Sequence, residues 1–193
     1  MGIKAEGGST GTLLPIMEVV RTRPMDLPAV PPVALVASGT AGGSEHAAVL
    51  ERARALLLAS RDGRSTSPLR GKNIGLVCGF DECQEGGVFK QAAAELGAQV
   101  ADVRPSLTDE SSEAELAQTA RMLSRLYDAV VLQGGHSRTL ASRLREAAQV
   151  PVLEGIGSST HTTAALASTV DPALSTAEAR RFVIQAVLLG AMA

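Results

Sequence analysis

Four short, mostly apolar runs, Asn73–Gly79, Gln99–Arg104, Asp128–Gln133 and Pro151–Glu154, alternate with stretches of helical periodicity. That alternation leaves few folds open, because strands joined through helices run parallel and cross over with a right hand. Strands of this kind are covered by helices on both faces, which is why they read as apolar rather than as a two-residue alternation. The expected fold class is α/β: a single three-layer domain with a four-stranded parallel sheet flanked by helices, plus an irregular N-terminal extension and a C-terminal apolar helix.

The helices show in the spacing. From Glu45 to Ser60 the residues Ala47, Leu50, Ala53 and Leu57 recur at helical intervals, while Glu51, Arg52 and Arg54 take the other face. Ser112-Glu113-Ala114-Glu115 is a capping box before the Leu116, Ala120, Leu123 stripe, and Ser175-Thr176-Ala177-Glu178 is a second one opening the last helix. That last helix, Arg180 to Leu189, is apolar almost all round after its first turn and must be covered on more than one side. Residues 1 to 45 are rich in Gly, Pro, Ser and Thr, and Pro24, Pro28, Pro31 and Pro32 break any long helix there. Within this extension Leu13–Val20 can form a short helix and Val33–Val36 a strand or an arm laid on a neighbour. The expected boundaries are 1–44 for the extension, 45–170 for the α/β domain and 171–193 for the C-terminal helix packing back on it.

A chain of 193 residues supports one domain with a substantial core. A formal charge of -2 with interspersed signs, and 2% aromatic residues, supply neither the basic footprint nor the stacking groups that nucleic acid requires. The start MGIKAEGGSTGTLL has no long apolar core after a basic residue, and no run of about 18 apolar residues suggests a membrane span. Glu6 stands where a myristoylation signal beginning at Gly2 needs Ser or Thr. Cys78 and Cys83, five apart, fit neither a disulfide framework nor a zinc site and read as reduced thiols. A soluble cytoplasmic protein is expected, and 15 arginines against 3 lysines look like a GC-rich bacterial gene.

Between Gly71 and Ala98 the chain reads GKNIGLVCGFDECQEGGVFKQAAAELGA. This segment resembles the first strand, loop and helix of the aspartate/ornithine carbamoyltransferases. Gln118 to Asp128, QTARMLSRLYD, resembles that family's helix and "YD" strand entry, and Val150 to Gly155, VPVLEG, its "VPVxNG" strand. His161-Thr162-Thr163-Ala164 falls on its His-Pro-Thr-Gln motif. The likeness runs from about Ala47 to Thr169 and implies the carbamoyl-phosphate half of a two-domain enzyme, with no room for the amino-acid-binding half. Because family catalytic chains form trimers through this domain, with active sites at subunit junctions, it also implies a homotrimer. Family members end in an Arg-bearing apolar helix that crosses back to the first domain. On that basis Asp171–Ser175 is read as the scar of a removed second domain, with an ordinary final helix as the alternative.

The likeness stops at the anion site. The resemblance places the family's Ser-Thr-Arg-Thr-Arg run on Glu82-Cys83-Gln84-Glu85-Gly86, and the arginine after its third strand on Gln133. A helix N-terminus offers a phosphate free N–H groups and the positive end of the dipole, but guanidinium groups add charge-assisted bonds of about 1.5 to 3 kcal/mol each. Losing three of these removes on the order of 5 to 9 kcal/mol, enough to turn micromolar binding into binding weaker than millimolar. Glu82 and Glu85 add carboxylates where phosphate oxygens would lie.

Ligands of open α/β sheets bind at the carboxyl edge of the strands, so the candidate cleft comprises Glu82, Cys83, Gln84, Glu85, Gly86, Gln133, His136 and His161. In the family the histidine matching His161 helps polarise the carbamoyl carbonyl. Here it lies in the hydroxyl-rich Ser158–Thr163, expected to cap the helix after the fourth strand. Without Gln and Pro beside it, a leftover or structural histidine outweighs a catalytic one. If His136 and His161 share the cleft with the two glutamates, both titrate above the ordinary value of about 6.5. A Cys83 nucleophile paired with either histidine is opposed by the glutamates, and a metal site has no supporting spacing. Gly39-Thr40-Ala41-Gly42-Gly43 lacks the lysine of a phosphate loop and reads as a flexible linker. No cofactor is expected.

The expected function is that of a degenerate one-domain carbamoyltransferase homologue without transcarbamoylase activity, acting as an assembling or regulatory subunit. One alternative is a small-molecule-binding protein or enzyme with a re-purposed acidic cleft, preferring a cationic or neutral ligand. The other is a carbamoyltransferase active only with a partner chain that supplies the arginines.

Overall fold

The computed structural model describes residues 43–64, 67–78 and 86–192. The extension before Gly43, with its expected helix, strand and most of its glycine run, lies outside these residues, as do Glu82, Cys83, Gln84 and Glu85. Helix α1 (Gly43–Arg61) leads to β1 (Asn73–Cys78), α2 (Gly86–Glu95), β2 (Gln99–Val103), α3 (Glu113–Leu126), β3 (Ala129–Gln133), α4 (Arg138–Ala147) and β4 (Val152–Glu154). A 3-10 turn at Ala164–Leu166, a short α5 (Ala167–Val170) and α6 (Thr176–Met192) follow. The strands pair in parallel in the order β2-β1-β3-β4. The α/β architecture read from the alternation is thus the one observed.

The two-residue period of a strand divides the apolar side chains between two cores. Ile74, Leu76, Val131 and Leu153 face one side and pack with α1, α2, α5 and α6. Val77, Val130, Leu132 and Val152 face the other and pack with Leu123 of α3 and Leu144 of α4. Central β3 is buried along its whole length. Edge strand β2 is mostly open to solvent, and its Asp102 pairs with Lys90 at 2.8 Å.

Both capping boxes form. Ser112 accepts the Glu115 N–H while the Glu115 carboxylate takes the Ser112 N–H. Ser175 and Glu178 repeat the exchange at 3.3 and 3.1 Å. At the opposite end of the sheet from the candidate cleft, the Asp128 carboxylate accepts Lys72 Nζ at 2.9 Å and the Asn73 N–H at 2.8 Å. The two bonds join the starts of β1 and β3 and hold the carboxyl below the usual carboxylate range.

The all-round apolar α6 is covered within its own chain. Ala179, Phe182, Val183, Ile184, Ala186, Val187 and Leu188 are buried against α1, α2 and α5. Arginines of α1 fasten this layer: Arg52 donates to the Ala186 carbonyl at 3.0 Å, and Arg54 to the Thr169 carbonyl at 2.7 Å. Gln185, buried in the same helix, donates to Glu95 at 2.7 Å and so pins α6 to the end of α2.

Gly97 closes the α2–β2 turn at φ +86, and a Cβ there would lie 2.8 Å from Ser67 Cβ and 3.3 Å from the Arg70 backbone. Gly97→Ala therefore combines left-handed strain with overpacking, and about 2 to 4 kcal/mol of stability should be lost. Urea unfolding tests this as a lower midpoint at unchanged slope.

Candidate functional site

The carboxyl ends of three strands lie side by side, with Cys78 of β1 in register with Gln133 of β3, and Leu132 of β3 with Glu154 of β4. Segments leaving these strands therefore share one edge of the sheet. Gly86, buried, opens α2 beside it.

Gln133 is 2% exposed. Its Oε1 accepts the Gly157 N–H at 3.3 Å. A Cβ on residue 157 would sit 3.0 to 3.2 Å from the Gln133 amide, so glycine is what lets the two meet. Gly155, at φ +61, turns the chain out of β4, and its N–H reaches the Leu132 carbonyl at 2.7 Å. From the outer side Arg180, near the start of α6, donates Nη2 to the carbonyls of Gly157 at 2.8 Å and Ser158 at 2.7 Å. One turn is thus held by the sheet through Gln133 and by the terminal helix through Arg180.

His161 continues this turn. Its Nδ1 accepts the Thr163 N–H at 3.2 Å and lies 2.8 Å from Thr163 Oγ1. A ring nitrogen that accepts a backbone N–H carries its lone pair there, which puts the proton of the neutral imidazole on Nε2. Burial lowers the affinity of this ring for a second proton, Arg180 and His46 lower it further, and Glu154 opposes them. Desolvation and the Arg180 guanidinium outweigh Glu154 at this ring and so act against the raised titration expected of a histidine that shares the cleft with Glu82 and Glu85, which lie outside the described residues.

Nor does His161 begin a helix. The hydroxyls of Ser158 and Thr160 bond each other at 2.9 Å, and Thr163, the N-cap of the 3-10 turn, makes no side-chain capping bond. Local side-chain bonds within the segment compete with capping, and the four-residue α5 that follows offers little helix to cap.

His136, in the segment after β3, reaches the end of β1, its Nε2 3.4 Å from the Val77 carbonyl. Next to it Ser137 caps α4 by accepting the Leu140 N–H at 3.0 Å, and its hydroxyl donates to Asp109. Gln133 is thus joined to the Gly157 turn, His136 to the end of β1, and His161 to Thr163 further along the same turn. Cys78, read as a reduced thiol, is disulfide-bonded. A disulfide at Cys78 lends no support to a cytoplasmic placement.

Four contributors to this edge were not singled out from sequence. Glu154 pairs with Arg145 of α4 at 3.2 Å, Arg180 clamps the turn, and buried Thr163 anchors its far end. His46, in the first turn of α1, has a buried Nε2 with no hydrogen-bond partner and acts electrostatically on His161. The arginine at the head of an otherwise apolar helix was a usable signal for Arg180. Nothing in the local sequence marks His46, because its relation to the edge arises from tertiary packing. Among the described residues no group of three or more His, Cys, Asp or Glu could hold a metal ion, and no helix is long and apolar enough to cross a membrane.

The family described as "Aspartate/ornithine carbamoyltransferase, carbamoyl-P binding domain" matches residues 40–171. An ornithine carbamoyltransferase from Pyrococcus furiosus is similar in structure, with 25% identity and a TM-score of 0.55 over 66% of this chain and 40% of that one. The catalytic subunit of M. jannaschii aspartate transcarbamoylase shows 26% identity and a TM-score of 0.55 over 69% of this chain and 44% of its own. The aspartate transcarbamoylase of Trypanosoma cruzi, in complex with N-(phosphonacetyl)-L-aspartic acid, shares the fold at 22% identity and a TM-score of 0.53, over 72% and 46% of the two chains. The chain thus spans less than half the length of each of these relatives. With more than half of its residues inside the family match, the chain belongs to the aspartate/ornithine carbamoyltransferases, through their carbamoyl-phosphate-binding domain.

Proposed function

We propose that this protein is a degenerate one-domain carbamoyltransferase homologue that does not catalyse transcarbamoylation and serves as an assembling or regulatory subunit. The observation that supports this reading is Gln133. The resemblance puts an arginine of the anion site at this position; here a neutral amide is buried and matched to the Gly157 N–H. Arg180, the cation nearest that turn, directs Nη2 to two backbone carbonyls. The Gln133 amide oxygen and Arg180 Nη2 are thus already matched within the chain, and a polar group already paired gains little from a ligand. The reading with an acidic, cation-preferring cleft is disfavoured at His161, whose charged form is opposed by its surroundings.

An assay with carbamoyl phosphate and either ornithine or aspartate should give carbamoylated product no faster than the uncatalysed background. Saturable turnover by the chain alone would overturn the reading.

Assembly rests on the domain's family role, since α6 needs no partner to cover it. Closed cyclic symmetry is the usual outcome for such chains. Light scattering at micromolar concentration should give three times the chain mass of 19.8 kDa, and a clean monomer would count against both the trimer and the assembling role.

A further inference from the structure

We propose that the cavity between α1, α2 and α6 is a binding site for a small monocarboxylate with an aliphatic tail, its carboxylate held by Arg181. The cavity measures about 250 Å³ and shares no residue with the candidate cleft at the carboxyl edge of the sheet. Its walls are Leu56 near the end of α1, Glu95 and Leu96 where α2 ends, and Arg181 and Phe182 in the first turns of α6. Cavities for drug-sized ligands begin at about 300 Å³, so this one suits a smaller molecule.

Arg181 lines this cavity with its hydrogen-bonding capacity unused by the chain. Its Nε lies 3.1 Å from Glu95 Oε2 but out of line for a hydrogen bond, and among the described residues nothing else accepts from the guanidinium. The Glu95 oxygens are taken by neutral amides instead, Oε1 by Gln91 at 3.2 Å and Oε2 by Gln185 at 2.7 Å. Glu95 therefore steadies the guanidinium by charge alone, and the Phe182 ring, 5.4 Å from its central carbon, does so through its face. Side-chain exposures of 24% for Arg181 and 39% for Glu95 put the polar end of the cavity where a ligand can enter.

A guanidinium presents its N–H groups as a planar fork, which a carboxylate meets with two parallel charge-assisted bonds. An aliphatic tail then gains by burial against Leu56, Leu96 and Phe182. The other charges nearby are engaged: Arg64 pairs with Asp62, and the Glu178 carboxylate accepts the Ser175 hydroxyl at 2.6 Å. Glu95 in the wall opposes a second negative charge, which disfavours phosphate and dicarboxylates. The ammonium of an amino acid has to compete with Gln91 and Gln185 for the Glu95 oxygens, so a simple monocarboxylate fits better.

NMR titration of the isotope-labelled full chain with sodium pentanoate tests this. The Arg181 Nε–H signal and the amides of Leu96 and Phe182 should shift along one saturable curve with a Kd of about 1 mM or tighter, while β3 signals stay in place. Pentanamide, which keeps the size and loses the charge, and inorganic phosphate, which lacks the tail, should each bind at least about tenfold more weakly. Arg181→Gln should weaken pentanoate binding by about tenfold or more. No saturable shift with pentanoate, an equal response to pentanamide, or unchanged binding in Arg181→Gln would overturn the site. Tighter binding of norvaline than of pentanoate would overturn the monocarboxylate in favour of an amino acid. If the variant does not fold, the comparison of pentanoate with pentanamide on the wild type decides alone.

Discussion

Leu188→Asp should leave no folded protein at room temperature. Leu188 is 0% exposed in α6, the helix packed between α1, α2 and α5. A carboxylate there would lose its hydration with no buried cation to meet it, and such substitutions fall in the class that costs more than about 4 kcal/mol. Against a domain stability of about 5 to 15 kcal/mol that is decisive or nearly so. Leu188→Ala, which only opens a cavity, should remain folded and lose about 2 to 5 kcal/mol. Circular dichroism and urea unfolding of the pair check this. Wild-type stability in the aspartate variant would mean that α6 is not an integral layer of the domain.

Gln133→Arg, the substitution that the family resemblance invites, should damage the fold and not restore an anion site. Its guanidinium would enter a position that is 2% exposed, within contact of the Gly157 backbone. The Gly157 N–H would lose its acceptor to a group that has only donors. A buried charge without a partner costs about 3 to 5 kcal/mol, whereas Gln133→Met, which removes the amide without adding a charge, should cost about 1 to 3 kcal/mol. Chemical unfolding of both variants, with carbamoyl phosphate added to each, reads out stability and binding together. A stable arginine variant that gains binding would show the rest of the site to be intact.

Where local chemistry decides, the chain was legible. Strand limits fall within a residue of those expected, for example Gln99–Val103 against Gln99–Arg104, because runs of apolar residues between helical patterns fix both type and place. The capping boxes at Ser112 and Ser175 are local by construction, and both form. Legibility fails where partners are distant. Gln133 was named as a site residue for the arginine it replaces, but its role as acceptor for Gly157 depends on a turn after the next strand. The apolarity of α6 pointed equally well to a neighbouring subunit or to α1, α2 and α5 of its own chain, and only packing separates these. His161 was placed in an acidic setting from loop sequence, while burial and Arg180, neither visible locally, lower its proton affinity against the pull of Glu154.

The central claim is that the carbamoyltransferase scaffold persists here without its anion site, and titration calorimetry of the purified chain with carbamoyl phosphate tests it most directly. The account predicts no saturable heat, corresponding to a Kd weaker than about 1 mM. A Kd tighter than about 100 micromolar, roughly 5.5 kcal/mol of binding, would contradict it.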